Sequence, residues 1–101
     1  MLFDKSENGE VLTLTLDKKL TAVTAGELEK DLIEKLAGVK SFTVDMSRLV
    51  YVSSAGLRVL LNAQKYMNKT NGSMIVKNAV PEVMKIFETT GFNEILNVKN
   101  S

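Results

Sequence analysis

A chain of 101 residues with 45% hydrophobic and 25% charged side chains has the size and composition of one folded domain with one core, not of a disordered or disulfide-stapled chain. Thirteen basic against twelve acidic residues leave a formal charge of +1, and with no clustered Lys or Arg nucleic acid is not an expected partner. The absence of cysteine and histidine removes thiolate metal sites, thiol nucleophiles and imidazole bases, and no segment reaches the roughly 20 apolar residues of a membrane span or forms a leader peptide. A cytoplasmic protein without a membrane partner, cofactor or metal is therefore expected.

The chain opens with Asn8-Gly9 between Leu2 to Ser6 and Val11 to Leu16, a dipeptide suited to a two-residue hairpin joining antiparallel strands. Leu12, Leu14 and Leu16 alternate with Thr13 and Thr15, the period of a strand with one buried face, and Lys18-Lys19 reads as a solvated turn. Thr24-Ala25-Gly26-Glu27 fits a capping box and predicts the first helix from Thr24. Its apolar stripe is Ala25, Leu28, Leu32, Ile33 and Leu36, with Gly38 as the stop.

Ser41 to Met46 is rich in strand formers and predicts a central strand reached by a crossover, with Asp45 turning the chain at its end. A second helix follows from Ser54 to Lys69, stopped by Asn71-Gly72, and then a strand over Ser73 to Lys77. Pro81 opens a third helix with Val80, Val83, Met84 and Phe87 on one stripe and Gly91 at its end, and Ile95 to Val98 forms a short last strand. The methionines, Met46, Met67, Met74 and Met84 among them, fall in apolar stripes and are expected in the core. The expected fold is α/β, one domain over 1–101, with a mixed sheet of four to five strands and three or more helices mainly on one face.

Chemistry concentrates where the central strand gives way to the second helix, at Val50-Tyr51-Val52-Ser53-Ser54-Ala55-Gly56-Leu57-Arg58. First-turn amides lack intrahelical partners and the helix dipole is positive there, so the corner suits an anion. A nucleophilic serine would need a base that the sequence does not place, and neither the Gly-x-Ser-x-Gly elbow nor a glycine-rich phosphate loop is present. If Ser53 caps the helix, Ser54 becomes its first residue, with its hydroxyl toward solvent and open to a kinase. Arg58, four residues on, stands at a spacing where a guanidinium can meet a phosphate on Ser54.

The run from Asp45 through Val52-Ser53-Ser54-Ala55-Gly56-Leu57 to Leu61 resembles the signature of bacterial anti-sigma factor antagonists, which are single STAS domains. Leu20-Thr21-Ala22 resembles the family's segment before its first helix, and Phe87 to Phe92 its closing helix. The resemblance implies phosphorylation of Ser54 by an anti-sigma factor that is also a serine kinase, and reversal by a metal-dependent serine phosphatase. It also implies that the unphosphorylated form binds the kinase and releases the sigma factor, through a surface including Thr21, Ser53, Ser54, Gly56 and Arg58. The alternative within the same family is a constitutive interaction module in a transporter or sensor assembly. Many relatives carry aspartate where this chain has Thr21 and Ser53, so two negative charges are missing beside the site.

Overall fold

The computed structural model describes residues 1–99; Asn100 and Ser101 of the expected domain lie outside the described residues. Five strands form one sheet in the order β1 (Leu2–Lys5), β2 (Val11–Leu20), β3 (Ser41–Val52), β4 (Ser73–Lys77) and β5 (Val98–Lys99). The first pair is antiparallel and the other three are parallel, so the sheet is mixed, as expected. Four helices fill the connections: α1 (Ala22–Leu36), α2 (Ser54–Lys69), α3 (Pro81–Thr90) and the single turn α4 (Phe92–Ile95).

Alternation decides where the core lies. Leu12, Leu14 and Leu16 of β2, Phe42, Val44 and Met46 of β3, and Met74 and Val76 of β4 are buried, while Thr13, Thr15, Thr43 and Ile75 between them are only half-buried. One face of the sheet is therefore covered, and the helices cover it. Leu28, Leu32 and Leu36 of α1, Leu57, Leu60 and Met67 of α2, and Val83 and Phe87 of α3 join the sheet residues in one cluster. Each such side chain stabilises by roughly 1.5–3 kcal/mol on burial. Met46, Met67 and Met74 are buried and Met84 packs against the cluster, which is the core role expected of them.

Several boundaries differ from those the sequence predicts. Helix α1 starts three residues early: Thr21 is its cap, and Thr24 is the third helical residue of the box rather than its first member. Ile33 is 67% exposed, because the stripe through Leu28, Leu32 and Leu36 is narrow enough to leave it on the far side. Lys18-Lys19 is not a turn; both residues belong to β2, with Lys18 in the left-handed region at φ 59° and the register against β3 shifting on either side. Strand β3 runs six residues past Met46 to Val52. Beyond Met46 its buried positions, Leu49 and Val52, are spaced by three, so the period of two that marks a strand is lost although pairing with β2 continues.

Asp45 consequently lies within β3, not at its end. Its Oδ1 accepts from the Ser47 N–H at 2.9 Å. That backbone bond, with the Lys77 ammonium nearby, holds its carboxyl below the ordinary carboxylate value. The hairpin spans Ser6 to Glu10 rather than two residues; the Gly9 N–H donates to the Ser6 carbonyl at 2.9 Å, and only Gly9 of the Asn8-Gly9 pair has positive φ. At the other end Ile95 closes α4, and β5 is confined to Val98–Lys99.

Candidate functional site

Strands β2 and β3 end side by side. Leu20 and Val52 are register partners, and the Ser53 N–H donates to the Leu20 carbonyl at 2.8 Å. The next residue on each strand therefore leaves the sheet at the same place, and each begins a helix. Thr21 caps α1: its Oγ1 accepts from the Thr24 N–H at 3.3 Å, and Thr24 Oγ1 accepts from the Thr21 N–H at 2.8 Å. Ser53 caps α2, with its Oγ accepting from the Gly56 N–H at 3.1 Å. The two helix N-termini thus converge, each contributing partial positive charge. Neither helix has an acidic residue in its first turn to offset it.

Ser54 is the first residue of α2 and is exposed, and among the described residues its hydroxyl has no hydrogen-bond partner. The division between a structural Ser53 and an outward Ser54 is the one the sequence predicts. Arg58 is likewise exposed, one turn further along α2, and no ion pair holds its guanidinium among the described residues. Gly56 is different. It is buried, and a Cβ built there would come within 2.8 Å of both Leu20 Cδ2 and Val52 Cγ2. Its place in the predicted surface is indirect: the missing side chain lets the first turn of α2 settle on the Leu20–Val52 pair, which fixes where Ser54 points.

Sequence reasoning missed two features of this corner. Val23, Val50 and Tyr51 beside it are exposed large apolar residues. Lys18 and Lys19 flank it from β2. The signal was available in Leu49 and Val52, whose spacing leaves the residues between them without a core position, but it becomes visible only once β3 is known to continue that far. A separate groove of about 260 Å³ lies between α1 and α2, lined by Leu32, Ile33, Val59, Ala63 and Tyr66 with Glu29 at its edge, and it contains neither serine. No group of three or more acidic side chains that could hold a metal ion occurs among the described residues, and none of their helices is long and apolar enough to cross a membrane.

Residues 3–101 match the family model described as the STAS domain. A protein carrying the name anti-sigma factor antagonist BtrV, from Bordetella bronchiseptica, is 34% identical over 92 residues, which cover 90% of this chain and 79% of that protein. The solved structure of the anti-sigma factor antagonist SpoIIAA in its unphosphorylated form matches with a TM-score of 0.85 at 17% identity, over 99% of this chain and 88% of that one. The Bacillus cell fate determinant SpoIIAA in its phosphorylated form matches with a TM-score of 0.77 at 16% identity, over 99% and 91% of the two chains. At such identities the two structures speak for the fold, while the family model and the BtrV match speak for descent. The chain belongs to the STAS-domain family, among the anti-sigma factor antagonists.

Proposed function

We propose that this protein binds an anti-sigma factor through the corner at Ser53 and Ser54, releases the bound sigma factor, and is switched off when the same anti-sigma factor, acting as a serine kinase, phosphorylates Ser54. The observation that carries the reading is the division of labour between adjacent serines. Ser53 Oγ is committed to the Gly56 N–H at 3.1 Å, whereas Ser54 Oγ is exposed and uncommitted. Phosphoryl transfer needs an accessible hydroxyl, and at Ser54 it can occur without breaking a cap bond. The antagonist name of its relative and the existence of SpoIIAA in a phosphorylated form support the assignment.

In the transfer, Ser54 Oγ attacks the γ-phosphorus of ATP, the bond to the β-phosphate oxygen breaks, ADP departs, and the hydroxyl proton passes to a base on the kinase. The chain itself performs no catalysis; it is substrate and ligand. A serine phosphatase restores the free hydroxyl, and the exchange takes place in the cytoplasm without nucleic acid or membrane. Phosphate adds about −1.5 to −2 charges and three acceptor oxygens, and the helix N-termini beneath accommodate that charge while the partner face does not.

Incubation with ATP and each purified anti-sigma factor of the source genome tests the assignment. Mass spectrometry should find one phosphate on Ser54 in wild type and in Ser53→Ala, and none in Ser54→Ala. A phosphate on Ser53, Thr21 or Thr24 instead would reject it.

A further inference from the structure

The serine corner is basic. Lys18 and Lys19 at the end of β2 are both exposed, immediately ahead of the Thr21 cap. Arg58 is exposed one turn past Ser54, and α2 as a whole carries Arg58, Lys65 and Lys69 without a single carboxylate. Of the nearby acids, Asp17 lies 3.2 Å from the Met1 amino nitrogen and Glu27 is already in the second turn of α1. The first turns of both helices add partial positive charge and contain no acid.

The same corner also exposes apolar side chains. Val23 in the first turn of α1 is 72% exposed, and Val50 and Tyr51 near the end of β3 are 53% and 46% exposed. All three lie within three residues of the Leu20–Val52 pair, and Tyr51 is the register partner of Lys19. Exposed apolar side chains close to a functional residue, with charged side chains beside them, mark an interaction surface.

Building on the proposed function, we infer that the anti-sigma factor face which docks here combines apolar and acidic side chains, so that association is steered by charge. Lys18, Lys19 and Arg58 set the sign of the attraction, and Val23, Val50 and Tyr51 supply the buried contact. Phosphorylation then acts through the same field: a phosphate on Ser54 offsets the basic side chains and sets negative charge against the partner's carboxylates. Thr21 and Ser53, the two caps, are uncharged and leave that attraction undiminished.

Surface plasmon resonance on each purified anti-sigma factor of the source genome tests the inference. The proteins compared are wild type, Ser54→Asp, the charge reversal Lys18→Glu/Lys19→Glu/Arg58→Glu, and Val50→Ser/Tyr51→Ser. Where an anti-sigma factor binds wild type, its association rate constant should fall at least about tenfold between roughly 50 and 500 mM NaCl. The charge-reversed protein should bind at least about 30-fold more weakly, chiefly through association, and the apolar double variant should dissociate faster. Binding that is lost in Ser54→Asp but insensitive to salt and unchanged or stronger in the charge reversal would overturn the inference and leave the proposed function standing. Failure of every anti-sigma factor to bind wild type, or equal binding by Ser54→Asp, would overturn both. The salt series uses the unmodified protein, so it decides the matter even if the triple variant folds poorly.

Discussion

One position separates a structural hydroxyl from a functional one. Ser53 has extended backbone and turns its Oγ back onto the Gly56 N–H; Ser54 has entered the helix and faces outward. Ser53→Ala should therefore destabilise the domain by about 1 kcal/mol, while Ser54→Ala should stay within about 0.5 kcal/mol of wild type, as measured by urea unfolding. Gly56→Ala should cost more, about 1–3 kcal/mol, because its Cβ would sit 2.8 Å from the side chains of Leu20 and Val52, and the residual strain would shift Ser54. Unfolding midpoints equal to wild type for Gly56→Ala would show that the first turn of α2 has room to move. The serine pair was readable from the sequence because a helix start after an apolar strand admits few alternatives. The first cap of α1 was not: Thr24 with Glu27 satisfies the local rule as well as Thr21 with Thr24 does. The pairing of Leu20 with Val52, a contact across 32 residues, makes Thr21 the first residue free of the sheet.

At the scale of elements, the strand lengths carry the site. Had β2 and β3 ended at Leu16 and Met46, where their alternation ends, the starts of α1 and α2 would be separated by loops; register shifts instead extend both strands to Leu20 and Val52. Those shifts leave no mark in a period-two reading, which is why Lys18-Lys19 reads as a turn and the predicted strand stops at Met46, short of Val50 and Tyr51. Along α2, Ser54 and Arg58 stand at i and i+4 on the exposed side, so a phosphate on Ser54 has a guanidinium one turn away. A cation there favours the dianion and lowers the second phosphate pKa. Arg58→Ala should raise it, a change read by phosphorus NMR titration of the phosphorylated protein; coincident titration curves would place the arginine out of reach.

For the whole molecule, the α/β class, the mixed sheet and the covered face were legible because three strands alternate cleanly and three helices carry apolar stripes ending at Gly or Asn-Gly. The C-terminal turn α4, which packs against α3, was not, and the last strand, expected over Ile95 to Val98, pairs with β4 only at Val98–Lys99. The core lies between the sheet and helices, and the serine corner sits at the edge of that core, where strands end and helices begin. A charge added at this edge touches the partner before it touches the packing, so the phosphorylated domain should keep its fold and lose its ligand. Isothermal titration of one responsive anti-sigma factor with unmodified protein and with protein phosphorylated at Ser54 tests this most directly. The phosphorylated form should show a dissociation constant at least ~100-fold higher, about 2.7 kcal/mol of lost binding, with an unchanged circular dichroism spectrum. Equal affinity of the two forms would contradict it.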